Sequence, residues 1–388
     1  PSHNAACEDQ VLAGLQALAG KSHAEACRCV RDLETQHRER RSWIWAQLGL
    51  SPMAKLLEPL GLLAQRADQP LVGTTPEEFI APYTTDGWEA DLSAWQAVAM
   101  ASTAEEGVVR KAVAALLRIW LNDTASCFQK AVASSGLPTP AEQGAITAAP
   151  GEVLFFADGL RYDVARLLQK SLEVMGITGN LTTRWAGLPT VTATAKPAIT
   201  PLISEIQGQA LPEDFAPTFR SGKPTSAAEL RKALTAQGYT VLSDGELNIP
   251  SGPEARGWLE IGDLDHRGHQ LQNDLPRQIL PEIERLALRI QKLLEAGWRS
   301  VKVVTDHGWL FCPDGLPTAE LPKHLTASKW ARCAAIKGDS QVPVPTAAWS
   351  WNPSEQFATP SGAACFNTGG SYSYAHGGIS LQECLTPV

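Results

Sequence analysis

With 388 residues, 44% of them hydrophobic and 19% charged, the chain carries enough apolar material for a sizeable core and for two or three domains, which excludes a disordered tail. A formal net charge of -8 excludes a broadly basic nucleic-acid footprint, so phosphate would have to be met by a local patch or a metal site. No run approaches the roughly 18 uninterrupted apolar residues of a membrane-spanning helix, and no membrane partner is expected. The first residue is proline rather than methionine and no signal-peptide pattern follows it, so the chain reads as a piece of a longer protein. Its 8 cysteines include no CxxC pair or zinc-knuckle spacing. They read as reduced thiols of a cytoplasmic protein, with Cys27-Arg28-Cys29 as two packed thiols on a helix.

Residues 1 to about 145 lack strand-like alternation. Their alanine- and leucine-rich segments, among them EDQVLAGLQALAG, SPMAKLLEPLGLLAQ and EEGVVRKAVAALLRIWLNDTASCFQKAVASS, repeat at helical spacing and predict an all-α region. Trp43, Trp45, Trp88, Trp95 and Trp120 are expected to anchor its core, and HRERR at 37 to 41 to form a solvated face rather than a phosphate clamp. Serine, glycine and proline gather between 134 and 152 as a linker. Beyond it, EVLFFADG predicts a strand ending at Asp158-Gly159, and DVARLLQKSLEVMGI the helix that opens an α/β unit.

Farther on, SAAELRKALTAQG predicts a helix, and YTVLS and GWLEIGD predict strands. LPRQILPEIERLALRIQKLLEAG predicts a long helix feeding the strand VKVVT, which delivers Asp306-His307-Gly308. The proline-, glycine- and aromatic-rich last fifty residues read as short strands and loops carrying His376. This order predicts an α/β fold, a mostly parallel sheet flanked by helices and preceded by the all-α region. In such sheets sites gather beyond the carboxyl ends of the strands.

Of the 8 histidines, His266, His269, His307 and His376 sit beside a carboxylate, a glycine or both. Imidazole and carboxylate are natural ligands for zinc or manganese, and a two-metal site about 4 Å across needs about three ligands per ion from separate loops. Four loops offer them: FFADG, WLEIGDLDHRGH, VVTDHG and YAHGG. Each is weak alone, since DG is a common turn and HGG mostly a loop; the combination is more specific. IGDLDHRGHQ alone holds two aspartates and two histidines, Asp263, Asp265, His266 and His269. His3, His23, His37 and His324 have no carboxylate context and read as structural or surface residues.

Taken together, VLFFADGLRYD, LPTVTATAKPAITPL, VVTDHGW and HGGISLQECLTPV resemble the alkaline phosphatase superfamily, and within it the PglZ family of bacterial phage-defence systems of the BREX type. The resemblance covers roughly residues 150 to 388. It implies an alkaline-phosphatase-like hydrolase domain over 146–388 and leaves the helical region 1–145 without a role. It further implies that Asp158, Asp306 and His307 hold one divalent ion and that His376 helps hold a second. The DxxGH pattern of the superfamily's phosphodiesterase-type members falls on Asp265 and His269, which would complete the second ion's ligands. Asp263 with His266 is the alternative register; otherwise those two orient the ligands. The family's pattern of proline, a small hydroxyl residue, any residue and then the nucleophile selects Thr192 over Thr190 and Thr194.

A threonine hydroxyl is a poor nucleophile near neutral pH unless a cation stabilises its alkoxide, which is why Thr192 belongs beside a metal. The segment after it reads as a helix start whose backbone N–H groups would favour a phosphoryl group. Lys196, one turn on, would either contact a phosphate oxygen or be solvated. Arg161 and Tyr162 would line the cleft unless the arginine pairs with Asp163. The expected function is a two-metal phosphoester hydrolase, a phosphodiesterase or nuclease of a BREX-type system, with zinc the first expectation and manganese the second. Its expected partners are a phosphodiester substrate, nucleic acid or nucleotide, and other defence-system proteins. There is no CxPxR stretch for a sulfatase formylglycine, and residues 200 to 258 leave room for only a small insertion, unlike the phosphomutases. The reading from a different class is a catalytically silent PglZ-like scaffold that assembles a defence complex.

Overall fold

The computed structural model describes residues 2–321, 326–327, 330–338, 341–366 and 371–388. Five long helices build the first part: α1 (Ser2–Gln16), α2 (His23–His37), α3 (Pro52–Arg66), α4 (Trp88–Met100) and α5 (Glu106–Ser135). Local chemistry sets their ends and faces. Ser22 and Glu25 form a capping box at the start of α2, each side chain accepting from the other's backbone N–H. On α3, Met53, Leu56, Leu57, Leu60, Leu63 and Ala64 repeat at three- and four-residue steps and are all buried.

Of the five tryptophans expected to anchor this region, Trp95 and Trp120 are fully buried, whereas Trp43, Trp45 and Trp88 are half-buried. HRERR is solvated only in part, at Arg38 and Glu39. His37 and Arg40 are buried, Arg40 bonding Glu8 and Asn4, and Arg41 ion-pairs with Glu34, so pairing to distant carboxylates removes the desolvation penalty the arginines would otherwise carry.

The second part is organised by a parallel sheet. Its strands are β1 (Glu152–Ala157), β3 (Tyr239–Leu242), β4 (Arg256–Ile261) and β5 (Ser300–Val304), in the order β3-β4-β1-β5. A short strand, β2 (Thr183–Trp185), lies outside this sheet. All six residues of β1 are buried, as expected of a strand covered on both faces. Val153, Phe155 and Ala157 join the core shared with the N-terminal helices, while Leu154 and Phe156 point into a second core with Leu230 and Leu234 of α8 (Ala227–Ala236). The helices that connect the strands are α6 (Tyr162–Val174), the short α7 (Thr192–Ala198), α8, α9 (Leu264–Leu271) and α10 (Pro276–Glu295). Ile279, Ile283, Leu286, Ile290 and Leu293 form the buried stripe of α10.

After β5 the chain forms β6 (Leu310–Phe311), which pairs antiparallel with β7 (Tyr374–Ala375), and the last strand, β8 (Leu385–Pro387), pairs with β2. Between β6 and β7 lies an antiparallel sheet of Thr326–Ala327, Ala334–Ile336, Asn352–Ala358 and Thr346–Trp349, in that order. The molecule is thus a mixed α/β structure with a parallel sheet flanked by helices and a helical N-terminal region. Among the described residues no helix is long and apolar enough to cross a membrane, and no disulfide joins the cysteines.

A buried polar cluster joins the helical part to the loop after β1. Arg161 donates to both carboxylate oxygens of Asp163 at 2.6 and 2.8 Å and lies 3.8 Å from the ring centroid of Trp309. From α4, Trp95 donates to Asp163 at 2.8 Å, and Asp91 accepts from Tyr83 and Gln382 while facing Arg161 at 3.8 Å. Arg161→Met keeps volume but strands two buried carboxylates, so a loss of about 3–5 kcal/mol in urea unfolding is expected; a loss below 1 kcal/mol would mean the cluster is not held by charge.

Burial raises the Asp91 carboxyl from 3.8 to about 6, with Asp163 adding to the rise and Arg161 opposing it. The folded protein therefore takes up a proton that the unfolded chain takes up only near 3.8, and the stability it brings is complete below that value and lost as pH rises through 6. Wild type should gain on Asp91→Asn as pH falls from about 7.5 to 4.5; a constant gap in denaturant titrations across that range would contradict this.

Candidate metal centre

The carboxyl ends of three adjacent parallel strands meet at one place. β1 runs into Asp158, and β5 into Thr305-Asp306-His307. β4 runs into Gly262, whose φ of 112° lets the chain turn beside Asp158, where an added Cβ would sit 3.1 Å from the Asp158 nitrogen. The chain then enters α9. Asp265 and His269 are four apart on one face of α9, so both reach the same point. Asp263 is the N-cap and ion-pairs with Arg267 at 3.0 Å; His266 and His269 are both exposed, and His269 is the one that lies beside Asp265 and His376. His376 arrives from the opposite side at the end of β7.

Two ligand groups result. Asp265, His269 and His376 each offer an atom within 4.8 Å of the others, and so do Asp158, Asp306 and His307. In the first group the Nε2 atoms of His376 and His269 are 2.9 Å apart, and they lie 3.1 and 3.6 Å from Asp265 Oδ1. The second group stacks against it, the rings of His307 and His376 being 4.0 Å apart and nearly parallel. His376 Nδ1 donates to the Thr190 carbonyl at 2.8 Å and His307 Nδ1 to the Gly308 carbonyl at 3.0 Å. With Nδ1 anchored on a carbonyl, each ring in its neutral form turns an Nε2 lone pair to the centre, the arrangement of a metal-binding histidine.

Whether the residues fit a divalent cation is tested by their unmatched negative charge. Asp158 Oδ1 and Asp306 Oδ2 are buried without a hydrogen-bond partner among the described residues. Burial, and then the carboxylates of Asp306 and Asp265, push the Asp158 carboxyl well above its usual range. Burial works the same way on Asp265, but the imidazoles of His376, His307 and His269 outweigh it and hold that carboxyl far below its usual range. Burial would lower His376, yet Asp265 beside it raises it to about 9; burial lowers His269 and His307. Buried Asp306 and half-buried Asp158 and Asp265 thus face one imidazole of raised basicity and leave two carboxylate oxygens unpartnered, a donor set that fits divalent cations.

The three competing threonines separate by burial and by partner. Thr190 is fully buried with its hydroxyl donated to the Gly378 carbonyl, and Thr194 is fully buried with its hydroxyl donated to the Phe215 carbonyl. Thr192 is half-buried, and its Oγ1 lies 3.2 Å from His307 Nε2. It is the first residue of α7, so the helix start expected after it is present, as a helix of 7 residues that contains Pro197. Lys196 is neither solvated nor free for phosphate. It is buried, 3.0 Å from Glu260 Oε2 and 4.4 Å from the Phe156 ring centroid.

Sequence reasoning missed two contributors. Thr190 acts through its carbonyl, which orients His376. Tyr374 donates its hydroxyl to Asp265 Oδ1 at 2.8 Å. The available signal was the two-residue step from Tyr374 to His376, which puts both side chains on one side of a strand. Of the remaining histidines, His23 bonds the Ala67 carbonyl, His37 is buried beside Arg40, His3 is exposed, and His324 lies outside the described residues.

No family model and no curated protein matches the chain. Among solved structures, that of murine ectonucleotide pyrophosphatase/phosphodiesterase 5, an inactive threonine-to-alanine variant in complex with AMP, is similar over 61% of this chain and 86% of its own, with 10% sequence identity and a TM-score of 0.38.

Metal loading separates the two registers. Protein equilibrated with Zn2+ and desalted should retain two ions per chain in elemental analysis, His266→Ala should also retain two, and His269→Ala should retain one. One ion for His266→Ala and two for His269→Ala would move the ligand pair to Asp263 and His266.

Proposed function

We propose that this chain is a two-metal phosphodiesterase of the alkaline phosphatase superfamily type, with Thr192 as its nucleophile. The observation that carries the reading is the position of the Thr192 hydroxyl. It is the one candidate hydroxyl in its segment that is partly open, and it stands beside His307 at the edge of two ligand groups. Asp158, Asp306 and His307 would hold one ion and Asp265, His269 and His376 the other, zinc being the first choice for a three-histidine set and manganese the second. Ions held there would supply positive charge beside the attacking and leaving oxygens of a phosphoester.

The chain's own residues do the rest. Thr192 Oγ passes its proton to solvent and attacks phosphorus in line. The bond from phosphorus to the leaving oxygen breaks, its electron pair going to that oxygen and leaving a phosphothreonine or nucleotidyl-threonine. Water then cleaves the new ester and restores the hydroxyl. Gly308 and Thr190 carbonyls keep His307 and His376 in the tautomer that faces the centre.

The motif likeness to the PglZ family supports a finer reading in which the substrate is a nucleic acid or nucleotide and the protein works in the cytoplasm with other proteins of a BREX-type defence system. In that reading residues 146–388 are the hydrolase domain and 1–145 a helical domain that buttresses it.

A chromogenic aryl phosphodiester and the matching monoester, each with Zn2+ or Mn2+, test the proposal. Wild type is expected to prefer the diester, and Thr192→Ala to lose roughly a thousandfold or more in kcat/KM while retaining both ions. Full activity in Thr192→Ala would rule out the threonine mechanism.

A further inference from the structure

We infer that Tyr374 is a positioning residue for one of the two ions, its hydroxyl fixing the Asp265 carboxylate and its ring setting the approach of α9 to β7. The inference rests on the reading of Asp265, His269 and His376 as ligands of a single divalent ion.

Four observations converge on this side chain. The Tyr374 hydroxyl donates to Asp265 Oδ1, the oxygen that also lies 3.1 Å from His376 Nε2 and 3.6 Å from His269 Nε2. Its ring meets the His269 ring edge-on, with centroids 5.3 Å apart at 78°, so one aromatic side chain touches two of the three ligands and lies two residues from the third. The ring occupies the space over Gly268, where an added Cβ would fall 2.3 to 2.6 Å from three of its carbons. Only glycine at that position of α9 lets the ring lie flat enough on the helix for the hydroxyl to reach one turn back to Asp265. Finally, Gln272 at the end of α9 accepts from the backbone nitrogens of Ser373 and Tyr374 at 2.8 and 3.0 Å, which docks the start of β7 onto the helix that carries the other two ligands.

The chemistry follows from this arrangement. A carboxylate oxygen that accepts a hydrogen bond from a buried phenol is held in one rotamer, so the carboxylate does not have to be ordered when an ion arrives. A phenol hydroxyl is a neutral donor, so it neutralises no charge and leaves the ligand set able to match a divalent ion. Among the described residues the Tyr374 hydroxyl bonds Asp265, whereas Asp306 accepts from the Gly159 and His307 nitrogens and His307 donates to the Gly308 carbonyl, so the effect falls on one ion.

Competition with a fluorescent chelator for Zn2+ tests this on the full chain. Wild type is expected to show two binding steps. In Tyr374→Phe, which keeps the ring and removes only the hydroxyl, one step should weaken by about 10- to 100-fold. The other step and the melting temperature of the metal-free protein should stay as in wild type. Gly268→Ala should weaken the same step, and adding Tyr374→Phe to it should change little. In His269→Ala, where the Asp158 group alone binds, Tyr374→Phe should leave the remaining affinity unchanged. Two wild-type binding steps with both unaltered in Tyr374→Phe would overturn the inference and leave the proposed function standing. Weakening of both steps together with a lower melting temperature would also overturn it, showing a structural role. Fewer than two steps in wild type would overturn the proposed function as well.

Discussion

Asp158, Asp265 and Asp306 leave the ends of neighbouring elements within one cluster of ligand groups, the last buried and the other two half-buried, and three carboxylates that close cannot all stay ionised without positive charge among them. Much of the α/β part can be understood from that constraint. Parallel strands in the order β4-β1-β5 bring three carboxyl ends side by side, which puts the acids together at no expense in loop length. Three imidazoles then enter from α9, from the β5 end and from β7, each with Nε2 near a carboxylate oxygen.

The ligand groups are also joined by hydrogen bonds to the segment that carries Thr192, the proposed nucleophile. Thr190, two residues before Thr192, accepts from His376 through its carbonyl, and its hydroxyl accepts from the Gly377 nitrogen while donating to the Gly378 carbonyl. The Gly378 nitrogen in turn donates to Glu383, which is locked in a fully buried pair with Arg332. Removing one partner of such a pair would leave an uncompensated charge, so this end of the loop has little freedom. Thr192 and His376 therefore move as one unit. A shift of the threonine segment would also shift a ligand, which preserves the spacing between the attacking hydroxyl and the centre.

How much of this was legible in the sequence follows from the range of each signal. Asp158 and Asp306 follow apolar runs, and the runs did become adjacent strands, because continuous burial is written in consecutive residues. The stretch IGDLDHRGHQ was ambiguous because spacings of three and four both suit a helix face. What favours Asp265 and His269 is the N-cap position of Asp263 and its pairing with Arg267, which depend on where the helix begins. HRERR and Lys196 were misjudged for one reason. A charged residue reads as solvated unless its partner is known, and Glu8 and Glu260 lie 32 and 64 residues away. The role of Tyr374 needed the same long-range knowledge, since its acceptor is 109 residues distant.

The fate of the nearby cations bears on how an acidic protein would meet a phosphoester. Arg161 lies three residues after Asp158 and Lys196 four after Thr192, both close enough to be thought of as phosphate ligands. Arg161 is occupied by Asp163, with Asp91 facing it and Trp309 under its guanidinium plane. Lys196 is occupied by Glu260, whose carboxylate also accepts from Trp258 and Arg231. Both side chains tie elements together, the first joining α4 to the loop after β1 and the second joining α7 to β4. Drawing Arg161 onto a substrate would break a fully buried ion pair, at a penalty of several kcal/mol, and drawing Lys196 away would take from half-buried Glu260 one of its three partners. Arg161 and Lys196 are therefore structural, and in the proposed reading charge to neutralise a phosphoryl group would enter with ions at the two ligand groups. Net charge and surface patches then say little about the substrate, because the field that matters is generated within a few ångströms of Thr192.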